Sequence, residues 1–245
     1  MSLIDFPDPR TCMYSRWVVL GPYMYPADGV VHFGGRISVE NLRVAYRAGI
    51  FPWYTEGIPL PWHCPDPRAI LDFSEVRVPR SLAKIRRRAE FIFSIDRAFA
   101  DVIHQCSLAH RPGQRGTWIT NEFERVYTEL YHAGMAHSVE VWNAAGELVG
   151  GLYGVDAGGV FCGESMFYKE PNASKLALLY LIDRLAERGA TWLDAQVMTP
   201  HLQALGAAEV DRETFLDRLR DTQNLGLEIF PLYDTSTTRT PERTA

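Results

Sequence analysis

The stretch that decides the fold runs from His137 to Gln196. It opens as His137-Ser138-Val139-Glu140-Val141-Trp142, breaks at Asn143-Ala144-Ala145-Gly146, and runs on over residues 147–155. It breaks again at Asp156-Ala157-Gly158-Gly159 and resumes to residue 163. Apolar residues alternate along the runs and turn-forming residues fill the links, which predicts three successive strands. Asn172 then heads an apolar run to Arg188, closed by Gly189, and Thr191 to Gln196 returns to strand composition. The order is β-β-β-α-β, with a long helix before the last strand.

Working outward, the remaining signals are shorter. Ser38 and Gly49 bracket a helix over 39–48, with Leu42, Ala45 and Tyr46 on one side. Residues 69–73 and 91–95 read as strands. Pro79 suits the first turn of a helix to about Arg88, Asp96 is placed to cap one through Cys106, and Thr120 to cap one through Ala133. A last helix starts near Asp211. Five prolines from Pro52 to Pro67 forbid regular structure there. That loop nevertheless carries Trp53, Tyr54, Trp62 and His63, with Arg68 just behind. Its aromatics are packed under the loop or held out for a flat ligand. The predicted class is α+β, a mixed sheet with flanking helices, whose strand order resembles the acetyltransferase fold. The expected units are a small N-terminal domain over 1–68, a catalytic-sized domain over 69–234, and a disordered Thr-rich tail over 235–245.

The 245 residues carry 25 Lys+Arg against 30 Asp+Glu, a formal charge of −5, and 47% are hydrophobic. That composition excludes a disordered, collagenous or coiled-coil chain. No apolar stretch approaches the ~20 residues that span a bilayer, and residues 1–10 lack the order of a signal peptide. A soluble cytoplasmic protein with no membrane partner is expected. No heptad or long exposed apolar helix face demands a dimer, so a monomer is expected too. Cys12, Cys64, Cys106 and Cys162 form no CxxC pair, and the histidines form no HExxH. No phosphate loop or GxSxG elbow occurs. Neither metal nor cofactor is expected.

Three features carry candidate chemistry. Arg77, Arg80, Lys84, Arg86, Arg87 and Arg88 stand within twelve residues without an acid among them. On a helix, Arg80, Lys84 and Arg87/Arg88 share a face. A one-signed basic face on an acidic protein reads either as a footprint for a polyanion or as a solvated surface. Trp53 and Trp118 would add π-faces for unstacked bases, which favours single-stranded RNA or a tRNA end over duplex DNA. Asp194 and Gln196 close a strand at i and i+2, an acid and an amide able to orient one another or to cap the next turn. Cys162 with His137 as base would make a nucleophile pair, but core packing suits both better.

Taken in order, several segments resemble the leucyl/phenylalanyl-tRNA–protein transferase family. They are Ala45-Tyr46-Arg47-Ala48-Gly49-Ile50-Phe51-Pro52-Trp53-Tyr54, Pro65-Asp66-Pro67-Arg68-Ala69, Gly116-Thr117-Trp118-Ile119-Thr120 and Ala136-His137-Ser138-Val139-Glu140-Val141-Trp142. Leu148-Val149-Gly150-Gly151-Leu152-Tyr153-Gly154-Val155, Phe161-Cys162-Gly163-Glu164-Ser165-Met166-Phe167, Asn172-Ala173-Ser174-Lys175 and Asp194-Ala195-Gln196 follow. Together they span about residues 30–220.

The resemblance implies an aminoacyltransferase with an acetyltransferase-like C-terminal domain. It would move Leu or Phe, and Met less well, from a charged tRNA to the α-amine of a protein beginning with Arg or Lys, creating a degradation signal. By similarity, Gln196 would hold the amine through its side-chain carbonyl, Asp194 would polarise that amide, and Glu164 would line the site. Trp53, Trp118 and Tyr127 would hold the terminal adenosine, and Arg80, Lys84, Arg86, Arg87 and Arg88 the acceptor-stem phosphates. Leu152, Phe161, Met166, Leu178, Leu181 and Leu193 would line the aminoacyl pocket. The chain departs from the family at Trp62-His63-Cys64, where many members have Trp-Trp-Ser, and at Gly34-Gly35-Arg36-Ile37, where they have Gly-Gly-Asp-Leu.

Two rivals remain at this level. A CoA-dependent acyltransferase needs a pyrophosphate loop after its strand, and Glu164-Ser165-Met166-Phe167-Tyr168-Lys169-Glu170-Pro171 supplies none. A non-catalytic RNA-binding protein explains the basic face but not Asp194 and Gln196.

Overall fold

The computed structural model describes residues 3–12, 14, 17–20, 23–26, 28–109 and 117–230. Residues 110–116 and the Thr-rich tail over 235–245 lie outside them. A hairpin of β1 (Trp17–Leu20) and β2 (Tyr23–Pro26) comes first, then β3 (Val30–Phe33), α1 (Val39–Arg47), β4 (Phe51–Pro52) and β5 (Pro61–His63). The main sheet begins with β6 (Arg68–Asp72), followed by α2 (Arg80–Arg88), β7 (Ile92–Ile95), α3 (Phe99–Leu108) and α4 (Asn121–His132). The deciding stretch supplies β8 (Ala136–Trp142), β9 (Leu148–Asp156), β10 (Phe161–Tyr168), α5 (Ala173–Glu187) and β11 (Trp192–Gln196). The chain closes with α6 (Pro200–Leu205), β12 (Ala208–Val210) and α7 (Arg212–Asn224).

The seven-stranded sheet is ordered β12-β6-β11-β10-β9-β8-β7. Only β10 and β11 run parallel, because α5 carries the chain across between them. Side chains alternate across the strands, so the sheet has two apolar faces. Tyr153, Val155, Cys162 and Trp192 face a cluster built with α1, α3, α4 and α7. Leu152, Phe161 and Leu193 face a second cluster under α5, which buries Leu176, Leu178, Leu181, Ile182 and Leu185. The α+β class and the β-β-β-α-β order are as read from the sequence. No helix among the described residues is long and apolar enough to cross a membrane.

Two glycines are fixed by close approach. A Cβ on Gly150 would lie 2.5 Å from Cβ of Ala173 at the head of α5. One on Gly154 would meet the Phe161 ring at 2.5 Å and the Cys162 carbonyl at 2.2 Å. These glycines let helix and ring seat on the sheet.

Three local expectations are corrected. The proline-rich loop holds regular structure after all: β4 and β5 pair as Phe51↔His63 and Pro52↔Trp62 in a three-stranded sheet with β3. Pro52 ends β4 and Pro61 begins β5, positions where few ladder donors are needed, and Pro59, Pro65 and Pro67 lie outside the strands. Asp96 does not cap α3. Its carboxylate accepts from Ser138 N and binds His137, while buried Glu140 takes the Ala98 and Arg97 amides at the head of α3. Asn172 occupies the cap position of α5 but makes no side-chain bond there.

Candidate active site

The parallel strands β10 and β11 share one register pair, Cys162↔Asp194, and then part. Each carries an irregularity at that point. Against β9, β10 shifts register between Gly163 and Ser165, which leaves Glu164 as the extra residue. Against β6, β11 shifts between Asp194 and Gln196, which leaves Ala195 as the extra residue. A bulge bends its strand and re-aims a side chain. Here two bulges on neighbouring strands turn Glu164 and Gln196 toward each other. The Gln196 amide Nε2 donates to Glu164 Oε1 at 2.5 Å.

Gln196 holds a left-handed backbone at φ 61°, a conformation a non-glycine residue keeps only when its surroundings enforce it. Asp194 supplies the enforcement, its Oδ1 accepting from Gln196 N at 2.9 Å. Asp194 is itself clamped by Arg68, whose Nε and Nη2 donate to Oδ1 and Oδ2 at 2.8 and 2.6 Å. The third guanidinium nitrogen donates to the Gly49 carbonyl at 3.1 Å, and the plane stacks between Phe215 and Phe51 at 4.3 and 4.8 Å. Arg68 is 1% exposed and Asp194 0%. Burial disfavours the guanidinium's charge, but the Asp194 carboxylate more than offsets this and holds the arginine protonated.

Glu164 sits in a shell of donors. Tyr46 Oη donates to Oε1 at 2.6 Å and Tyr127 Oη to Oε2 at 3.3 Å, and the two phenols lie 2.5 Å apart. Both tyrosines are buried. Burial and the neighbouring carboxylate push their hydroxyls well above the ordinary range, so they remain donors. Burial also dominates at Glu164 and pushes its carboxyl up to about 7, against the pull of Tyr46, Gln196 and Tyr127. The folded state therefore holds this proton better than an unfolded chain. Its carboxylate lowers stability as pH rises from the ordinary range through 7.

The arrangement can hold an amide side chain in one orientation. An ionised Glu164 accepts only, so Nε2 must face it. The Gln196 carbonyl Oε1 is then presented to an incoming N–H. Protonating Glu164 releases that choice.

The structure gathers most of the residues named from the sequence, though not always in the expected way. Asp194 touches the backbone amide of Gln196 and not its side chain; the side-chain amide belongs to Glu164. Tyr127, expected at the adenosine, is 0% exposed and serves the carboxylate instead. Trp53 and Trp118 are half-buried and reach the centre only through other rings. Trp118 meets Phe123 edge-on at 5.7 Å, and Phe123 stacks on Tyr127. Trp53 packs against Phe51, which lies on Arg68. Leu152, Phe161, Leu178, Leu181 and Leu193 are buried together in the cluster under α5, with Met166 partly buried against it. Arg80, Lys84, Arg87 and Arg88 are exposed on α2. Arg86, half-buried on the same helix, is paired with Asp183, and Arg88 lies 3.8 Å from Glu90.

The residues where the chain departs from the family pattern differ in setting. His63 is held neutral, its pKa pushed down to about 4 by burial and Arg68, and Cys64 is wholly buried. Arg36 is exposed. His137 pairs with Asp96 at 2.7 Å and stacks on Phe230, while its buried Nε2 meets no partner among the described residues. Cys162 packs into the cluster on the other face, and burial raises its thiol well above the ordinary value. The two do not form a nucleophile pair.

Arg68 and Tyr46 hold the site together without belonging to the residues expected there. Both stand in the quoted segments. A signal was available in Arg68, a lone cation flanked by prolines and an apolar strand, where an unpaired charge would be intolerable.

The family model for leucyl/phenylalanyl-tRNA protein transferase matches residues 70–220, and that for its N-terminal domain matches residues 35–66. A protein of Maridesulfovibrio salexigens named leucyl/phenylalanyl-tRNA–protein transferase is 50% identical over 78% of this chain and 80% of its own. Proteins of the same name from Nitratidesulfovibrio vulgaris and Pectobacterium carotovorum are 45% and 42% identical. They cover 90% and 92% of this chain, and 92% and 90% of their own lengths. The solved structure of L-PGS from Bacillus licheniformis is 21% identical over 55% of this chain and 47% of that one, with a TM-score of 0.38. That likeness is too weak to bear on function.

Proposed function

Because the chain belongs to the leucyl/phenylalanyl-tRNA protein transferase family, and so is a transferase, we propose that it moves Leu or Phe, and Met less well, from charged tRNA to the α-amine of proteins beginning with Arg or Lys. The product's new N-terminus would serve as a degradation signal. The observation that carries this reading is the Glu164–Gln196 hydrogen bond at the parting of β10 and β11. It places an oriented amide carbonyl on the strands that also supply Phe161, Met166 and Leu193 to the apolar cluster.

The chemistry asks for positioning more than for a strong base. The aminoacyl ester is already activated. The acceptor α-amine has a reference pKa near 7.7–8.0, so roughly a tenth or more is free base at pH 7. Gln196 Oε1 accepts one N–H and aims the nitrogen lone pair at the ester carbon. The N–C bond forms, the C–O bond to the ribose breaks, and the amine's proton ends on the released ribose oxygen. Glu164, not Asp194, polarises the Gln196 amide. Asp194 acts through the backbone as a positioning residue, and Arg68 positions Asp194. An Arg or Lys side chain at the acceptor's first position brings a cation near Glu164. That cation favours the ionised carboxylate, so the preferred acceptor sets the site's active protonation state.

Incubation with charged tRNA and a peptide beginning with Arg tests the reading. A product longer by one residue is expected, and an N-acetylated peptide should give none. Val and Ile tRNAs should transfer poorly, because their branch lies beside the reacting ester where χ1 is stiff. Phe should be used, because its ring branches one carbon further from the ester, within the apolar cluster that Leu181 helps to line. Efficient Val or Ile transfer would overturn the pocket assignment.

The basic face makes a separate prediction. Changing Lys84, Arg87 and Arg88 together to Glu should weaken all charged tRNAs alike. It should also reduce the slope of log affinity against log salt by about 2–3, from three lost phosphate contacts. An unchanged slope would mean the face is only solvated. Trp53→Ala and Trp118→Ala should instead lower affinity with little change in slope.

A further inference from the structure

We propose that Phe230, carried in on the strap that follows α7, is the wall that sets the depth of the aminoacyl pocket and so decides which donor side chains this chain transfers; this rests on the transfer reaction and the pocket proposed above. α7 ends at Asn224, and the strap's amides bond back to it at Leu225 and Gly226. From Leu227 to Phe230 the strap is held, among the described residues, by side chains. Leu227 lies against Gly159, where a Cβ would stand 3.2 Å from its own. Ile229 is 3% exposed within the cluster under α5, and Phe230 packs against the same cluster.

Two rings locate Phe230. It stacks on His137 with centroids 3.8 Å apart and planes at 9°, and it meets Phe161 at 5.8 Å and 51°. His137 is built to stay in place. Its Nδ1 pairs with Asp96 Oδ2 at 2.7 Å, and the other oxygen of Asp96 accepts from Ser138 N at 2.8 Å. The imidazole's Nε2 is buried and meets no partner among the described residues. The ring thus serves as a flat, oriented support for Phe230, and the transfer chemistry makes no use of it.

The consequence falls on Phe161, one of the six residues of the proposed pocket. Its ring already lies over Gly154, 2.5 Å from where a Cβ would stand. The sheet stops it there, and Phe230 stops it at another side. Protein interiors hold no spare volume, so a donor side chain that reaches Phe161 goes no deeper. Removing Phe230 would open a space of phenyl size behind Phe161, enough for the second ring of an indole. A Leu side chain ends well before the wall, Phe comes closer, and Trp runs into it. The strap lies beyond residues 70–220, the span that the family model matches.

The test charges one tRNA in turn with Leu, Phe and Trp and measures kcat/KM with an Arg-initiated peptide, so that only the donor side chain differs. Phe230→Ala should raise the Trp:Leu ratio about tenfold or more, the scale on which an apolar pocket separates side chains. Phe230→Trp, which thickens the wall, should lower the Phe:Leu ratio about threefold or more. His137→Ala should raise the Trp:Leu ratio as Phe230→Ala does, though less. His137→Phe keeps a ring under Phe230 and should leave the ratios within about twofold of wild type. An unchanged or lower Trp:Leu ratio in Phe230→Ala, or an equal loss on all three donors, would overturn the wall and leave the reaction intact. Should Phe230→Ala fail to fold, Phe230→Trp decides alone, and an unchanged Phe:Leu ratio there would overturn the wall. No transfer of Leu or Phe by the wild type would overturn the reaction and the wall with it.

Discussion

Arg68→Ala should destabilise the protein by about 3–5 kcal/mol, the usual consequence of stranding a buried charge. Asp194 would lose both charge-assisted bonds at a site with no exposure, and the Gly49 carbonyl would lose its donor. For a chain of this size the thermal midpoint should fall by on the order of 10 °C. Arg68→Lys should rescue little, because one ammonium cannot serve two carboxylate oxygens and a carbonyl in a fixed plane. Replacing both partners, Arg68→Met with Asp194→Leu, should recover much of the loss. Unfolding of Arg68→Ala at the wild-type midpoint would show that the clamp contributes nothing.

Gln196→Ala should slow single-turnover transfer about a hundredfold, the scale expected when a reacting nitrogen loses its positioning group. Affinity for charged tRNA should stay within about twofold, because the side chain acts on the incoming amine. Glu164→Ala should behave similarly. Trp118→Ala should show the reverse pattern, with weaker tRNA binding and little change once saturated. Loss of tRNA affinity in Gln196→Ala, with chemistry intact, would contradict the assignment.

The sheet was legible because its strands are marked locally. The Asn143–Gly146 and Asp156–Gly159 links and the apolar run after Asn172 each carry their own signal. The site was legible only in part. Residues such as Trp118, Glu164 and Gln196 stand in segments of recognisable chemistry, but their pairing depends on two register shifts. A bulge adds one residue and leaves no periodic mark, so the strand rule placed Asp194 and Gln196 side by side. The structure instead turned the Gln196 side chain to Glu164. Arg68 and Asp194 are 126 positions apart, and nothing local in either predicts the other. Tyr46 sits on the apolar side of α1, where a phenol is indistinguishable from core until its hydroxyl finds Glu164. Asp96 misled in a similar way. It stands one turn ahead of a helix, as a cap would, yet β8 carries its partners. The prolines of β4 and β5 show the converse: local rules forbade strands that tertiary pairing made.

Whether Glu164 is the ionising group that holds the Gln196 amide is measured most directly by the pH dependence of single-turnover transfer. With Glu164 pushed up to about 7, wild-type transfer requires two deprotonations, of this carboxyl and of the acceptor amine. Well below pH 7, with the acceptor peptide far below saturation so that the free site's ionisation is read, log rate should rise with a slope of about 2 per pH unit. Glu164→Gln should transfer more slowly and with a slope of about 1, the amine alone remaining. A wild-type slope near 1, or a slope near 2 that survives in Glu164→Gln, would contradict the account.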